Sequence, residues 1–162
     1  MQRHVISVLV ENEPGALSRV VGLFSGRGFN IDSLNVAPTL DEKVSHMTIT
    51  TYGDNIIMEQ IMKQLHKIVP VIKVMEFTDQ AAVEREMMFV KVQAEGPARG
   101  EILRTVEIFR CKVVDVSHNE MTIEATGDYE KLEAILSLLR RFGIKEVART
   151  GSVAMGRSRK GD

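Results

Sequence analysis

The sequence predicts an α+β protein made of two tandem ferredoxin-like βαββαβ sandwiches, and three observations lead there. Apolar runs of strand character alternate with helical apolar stripes in the order βαββαβ, and that order occurs twice. A strand–turn–strand pair in the middle of each unit makes the sheet antiparallel in part, which excludes a Rossmann sheet. Both helices of a unit then fall on one face of its sheet. The expected domains are residues 1–78 and residues 79–162, the second ending in a basic tail.

The first strand, His4 to Val10, is apolar on both faces and stops abruptly at Glu11. Leu17, Val20, Val21 and Phe24 then share one face at helical spacing, so a helix is expected from Gly15 to Gly26. Pro14 suits its first position, Asn12 or Glu13 can cap it, and Gly26-Arg27-Gly28 stops it. Those glycines, with Gly22, end the helix and do not begin it, so a dinucleotide phosphate loop fails on position. Asn30–Pro38 and Val44–Tyr52 are the second and third strands, closed by Gly53-Asp54-Asn55. The second helix carries Ile57, Ile61, Leu65 and Ile68 as its stripe and ends at Pro70, and Val71–Phe77 is the fourth strand.

Polar, charged Thr78–Glu86 reads as a linker. The order then repeats: strand Met87–Ala94, a break at Gly96-Pro97, and a helix marked by Ile102, Leu103, Val106 and Phe109. A hairpin of Lys112–Ser117 and Met121–Thr126 follows, then a helix through Leu132, Ile135, Leu136 and Leu139. Gly143 stops that helix, Ile144–Thr150 is the last expected strand, and Gly156–Asp162 is a polar, basic tail. The first two strands are too apolar to face water, so either a homodimer or larger assembly, or the second repeat, is expected to cover them.

Composition narrows the function. Lys and Arg total 21 against 22 Asp and Glu, a net charge of −1 that argues against a dedicated nucleic-acid binder. The lone Cys111 rules out an intramolecular disulfide and reads as a core or edge thiol. No apolar run reaches membrane-spanning length and the start resembles no signal peptide, so a cytoplasmic protein is expected. His4, His46, His66 and His118 are scattered without metal-ligand spacing, and neither a Walker loop nor a Gly-x-Ser-x-Gly elbow occurs. No active site is expected.

The informative stretch is Glu11-Asn12-Glu13-Pro14-Gly15-Ala16-Leu17, a strand-to-helix turn. Gly15 and Ala16 leave the first helical turn almost without side chains, so its backbone N–H groups are open to an anion such as a carboxylate. Asn30 carries both an acceptor and donors, and Leu17 and Ile31 can enclose an apolar side chain.

This turn, Ser18-Arg19-Val20, and Phe24-Ser25-Gly26-Arg27-Gly28-Phe29-Asn30-Ile31 resemble an ACT domain. Leu34-Asn35-Val36-Ala37-Pro38, Lys63-Gln64-Leu65-His66-Lys67, Val83-Glu84-Arg85-Glu86 and Glu146-Val147-Ala148-Arg149-Thr150-Gly151 extend the resemblance over nearly the whole chain. More narrowly, it is to the small regulatory subunits of acetohydroxyacid synthase (acetolactate synthase). The resemblance implies a non-catalytic subunit that activates a catalytic large subunit and confers feedback inhibition by valine or another branched-chain amino acid. It places thiamin diphosphate, Mg and FAD on that large subunit and no cofactor on this chain. It also implies a homodimer through the ACT domains, with Asn12, Gly15, Ala16 and Leu17 of one chain and Asn30 and Ile31 of the other around the effector. In the second repeat Glu95-Gly96-Pro97 takes the turn and Cys111-Lys112-Val113 stands near the place of Asn30. Without the Asn signature, that repeat is not expected to bind an amino acid. The alternative is an amino-acid-responsive transcriptional regulator built on ACT domains, and an enzyme is third.

Overall fold

The computed structural model describes residues 2–77 and 81–158, which divide into two compact units, one of the described residues up to 83 together with those from 152 on, the other 84–151. In the first, β1 (Gln2–Glu11), α1 (Ala16–Gly26), β2 (Ile31–Pro38), β3 (Val44–Gly53), α2 (Asn55–Leu65) and β4 (Val71–Phe77) follow the expected order. The sheet order is β2-β3-β1-β4, and β1 pairs β3 from Gln2↔Gly53 to Glu11↔Val44. The β1–β3, β1–β4 and β2–β3 pairings are all antiparallel, because the α1 crossover carries the chain past the position that β3 later fills.

Alternation along β1 sends Ile6, Val8 and Val10 to the helix side, where they meet Met47 and Ile49 of β3 and both helices. From α1 the buried residues are Ala16, Val20 and Phe24. From α2 they are Met58, Ile61 and Leu65, a correction to the expected stripe: Ile57 is 38% exposed, because it falls one residue outside the i, i+3, i+7 set. Asp54 caps α2 by accepting from the Ile56 amide at 2.8 Å. Phe29 closes the sheet edge so tightly that a Cβ on Gly53 would lie 1.9 Å from its ring. His4, 3% exposed, ties three strands: its Nε2–H donates to the Gly53 carbonyl at 3.1 Å and its Nδ1 lies 2.6 Å from the Glu76 carboxylate.

The second unit repeats the plan with β5 (Ala82–Gln93), α3 (Ala98–Ile108), β6 (Lys112–Val116), β7 (Glu120–Gly127), α4 (Tyr129–Leu139) and β8 (Ile144–Arg149), in sheet order β6-β7-β5-β8. Leu132, Ile135, Leu136 and Leu139 are buried as expected. Part of the expected linker is strand: β5 begins at Ala82, and its alternation buries Glu86 at 5% exposure. The Glu86 carboxylate accepts from the Arg149 guanidinium, which also reaches Glu133 at 2.8 Å. Residues 78–80 of that linker and the last four tail residues, 159–162, lie outside the described residues.

A further strand was not expected. β9 (Val153–Gly156) returns to the first unit and lies against β1 and β3. The Ala154 amide donates to Thr48 Oγ1 at 3.3 Å, the Arg3 guanidinium to Ser152 Oγ at 3.4 Å and the Arg157 amide to the Ala81 carbonyl at 2.9 Å. Ala154, Thr48 and Thr50 are buried. Four residues gave no strand signal; long-range pairing with β5 makes them a strand, and the sheet face they cover buries Ala154.

Two outcomes test these contacts. Ala154→Asp forces a carboxylate against the covered sheet face and is expected to cost about 2 kcal/mol or more; an unchanged urea midpoint would remove the covering role of β9. Glu86→Ala is expected to cost about 1–3 kcal/mol in the same assay, less than a pair losing its only partner, because Glu133 still faces Arg149.

Candidate functional site

The β1–α1 turn is pinned by backbone bonds on both sides. The Glu11 amide donates to the Pro70 carbonyl at 2.7 Å and the Asn12 amide to the Lys43 carbonyl at 2.8 Å. Neither Asn12 nor Glu13 caps the helix, contrary to expectation. The Asn12 side-chain N–H donates to the Glu42 carbonyl at 3.1 Å, which draws it to the β2–β3 loop. The N-cap is Gly15 itself, at φ 84, a left-handed conformation that a Cβ would strain, and Pro14 stands before the helix. Helix geometry leaves the Leu17 and Ser18 amides without intrahelical acceptors, while the Ala16 amide bonds back to Glu13 and the Arg19 amide to Gly15. No acidic residue occupies the first turn of α1 itself. Ala16 is buried, Gly15 is exposed and Leu17 is 43% exposed.

Asn30 and Ile31 lie elsewhere. The Phe29 amide bonds back to the Phe24 carbonyl at 2.9 Å, which turns the chain out of α1 into β2. Thr51 Oγ1 then donates to the Asn30 carbonyl at 2.6 Å, which holds the exposed Asn30 at the start of the strand. Ile31 packs against the first core. The 11 residues of α1 separate this point from the turn, a rise of about 16 Å. The structure thus brings Asn12, Gly15, Ala16 and Leu17 together at one end of α1, and Asn30 and Ile31 together at the other. Within one chain the six do not share a site. Sequence reading missed the carbonyls of Glu42 and Lys43 and the hydroxyl of Thr51, because long-range hydrogen bonds leave no local pattern.

The second unit has the same scaffold with different contents. Its turn is pinned the same way, Gln93 amide to Gly143 carbonyl at 2.9 Å and Ala94 amide to Asn119 carbonyl at 2.8 Å, which puts Ala94 where Asn12 stands. Pro97 is the N-cap, in ordinary right-handed geometry. Arg99 follows in the place of Leu17, and its guanidinium donates to the carbonyls of Ala94, Ser117 and His118 at 3.1, 2.6 and 2.9 Å. The Cys111 amide bonds back to Val106 as Phe29 does to Phe24, so Lys112 takes the place of Asn30. Burial raises the Cys111 thiol above its ordinary pKa, as suits a packed and unreactive group. Among the described residues no group of three His, Cys, Asp or Glu is placed to hold a metal ion.

Two family models match successive parts of the chain. Residues 6–73 match the family "AHAS small subunit-like ACT domain", and residues 85–158 match "Small subunit of acetolactate synthase". The acetolactate synthase isozyme 3 small subunit of Salmonella typhimurium is 53% identical over 159 residues, covering 98% of each chain. The acetolactate synthase small subunit of Mycolicibacterium smegmatis is 49% identical over 158 residues, covering 98% of this chain and 93% of its own. The crystal structure of the Thermotoga maritima acetolactate synthase small subunit superposes with a TM-score of 0.87 at 42% identity, covering 98% of this chain and 99% of that one. The chain belongs to the acetolactate synthase small subunits, the regulatory, non-catalytic partners of a catalytic large subunit that holds the reaction's cofactors.

Proposed function

We propose that the first unit binds a branched-chain amino acid, with valine as the reference ligand, between two copies of this chain, and so confers feedback inhibition on the large subunit. The observation that carries this reading is the split of the candidate residues between opposite ends of α1, beside a free edge strand. β2 ends its sheet, and its apolar residues are only half covered: Ile31 and Leu34 are half-buried and Val36 is 39% exposed. A two-fold axis beside β2 reverses one copy against the other, and brings the turn of each to the Asn30 of its partner. Such pairing also satisfies the edge.

The chemistry then divides by group. The amides at Leu17 and Ser18 and the positive helix end receive the carboxylate, worth roughly 0.3–1 kcal/mol exposed and up to about 2 partly buried. The ammonium donates to the side-chain Oδ1 of Asn30 of the facing chain, and Asn12 Oδ1 offers a further acceptor. Leu17 and Ile31 enclose the branched side chain, worth roughly 1.5–3 kcal/mol when buried. Because the ligand touches both copies, its occupancy favours one arrangement of the pair, and that differential affinity is what reaches the large subunit. The second unit, with Arg99 filling its turn and Lys112 for Asn30, takes no amino acid in this reading. The cytoplasm is the compartment it implies.

Asn30→Ala removes both side-chain hydrogen-bonding groups and leaves the helix amides and the apolar slot. The expected result in reconstituted holoenzyme is full activation by the small subunit, with the valine midpoint raised about ten- to hundredfold. Asn119→Ala is the matched control, since Asn119 holds its turn through backbone atoms, and it is expected to leave inhibition unchanged. An unchanged midpoint for folded Asn30→Ala places the effector elsewhere.

A further inference from the structure

The buried stripe of α1, Ala16, Val20 and Phe24, has two flanks. At 100° per residue, Leu17 and Val21 stand on one and Arg19 and Leu23 on the other. The proposed pairing and effector site use the first flank. The second flank faces the end of α2 and the turn that follows it, and together they form an open groove lined by Arg19, Leu23, Gln64, Lys67, Ile68 and Val69. Leu23 and Ile68 pack onto the first core and make an apolar floor, and Val69 stands 88% exposed at its rim. Arg19 and Lys67 are the two charges in the lining, both cationic, and neither forms an ion pair among the described residues. α1 carries no acidic residue that could answer them.

We infer that this groove seats an acidic segment with an apolar anchor, supplied by the catalytic large subunit. The inference rests on the family assignment and goes beyond the effector reading. Charge complementarity selects the segment: an apolar floor flanked by two unanswered cations fits an apolar side chain with carboxylates beside it. The groove is open along its length, so a chain segment can lie in it, whereas a small metabolite held by this chain alone would keep much of its surface in water. A second copy placed here about a two-fold axis would set Arg19 and Lys67 against themselves. Two cations on a chain of net charge −1 do not make a nucleic-acid surface. The groove lies on the α1 flank opposite the proposed pairing edge, so one copy can hold effector, partner copy and large subunit together.

The test titrates purified large subunit with Arg19→Glu, Lys67→Glu and the double variant, reading the small-subunit concentration that gives half-maximal activation. Lys63→Glu, also exposed on α2 but outside the groove, is the control. Each groove reversal is expected to raise that concentration by about three- to tenfold, the double variant more, while Lys63→Glu stays near the unmodified protein. Raising salt is expected to weaken the unmodified pair and to affect the double variant less. Valine binding to the double variant alone, read by calorimetry, is expected to persist, which shows that the variant is folded. Half-activation unchanged in both single variants overturns the inference, as does an equal shift with Lys63→Glu. A changed mass of the isolated double variant by light scattering also overturns it, in favour of a second copy in the groove. Absence of valine heat from the unmodified protein would instead sink the effector reading and leave the docking titration standing.

Discussion

A four-stranded sheet with helices on one side leaves its other face to water unless something covers it, and β1 is apolar on both faces. This constraint organises the first unit. Its helix side is closed by α1 and α2 over Ile6, Val8 and Val10. Its outer side carries Val5, Ser7, Thr48 and Thr50, all buried, and β9 lies over β1 and β3 with Ala154 inward and Val153 and Met155 outward. The first unit is therefore completed by residues that follow the second in sequence. Of the two covers expected for this face, another copy or the second repeat, neither anticipated a short returning strand.

Comparison of the two units shows how a shared scaffold acquires different uses. Both turns are pinned by the same pair of backbone bonds, one to the loop before the last strand of the unit and one to the central hairpin. On that frame the first unit places a left-handed glycine, a bare first helical turn and exposed Leu17. The second places a proline and an arginine whose guanidinium already serves three carbonyls. Open amides can receive a ligand, whereas a guanidinium engaged with its own loops stabilises the hairpin and leaves little to offer. Folding is conserved between the repeats at the backbone, and divergence lies in a few side chains.

α1 acts as a divider. Its inward stripe holds the core, its two ends carry the separated halves of the candidate effector site, and its flanks face different directions. In the proposed arrangement a change in how two copies meet along β2 and Leu17 would shift the same rigid helix that lines the α1–α2 groove. Regulation then needs no new motion within the unit, only a different placement of one helix pair, with the effector's differential affinity setting the populations.

The sequence by itself determined the βαββαβ order of both units, most element boundaries, most of the two cores and the family. These rest on local periodicity, on turn and cap chemistry, and on runs such as Glu11–Leu17 that are legible without contacts. It also marked Gly15 and Asn30 as worth notice. Only the tertiary structure decided that Asn12 ties a loop and does not cap a helix, that Ala82–Glu86 is strand, and that Arg99 fills the second turn. It alone decided that Gly15 and Asn30 stand at opposite ends of α1, that β9 belongs to the first unit, and that Arg19 and Lys67 share a groove. Each of these depends on atoms far apart in the chain, where hydrogen bonds and burial are set by which surfaces meet, and a local pattern carries no record of that meeting.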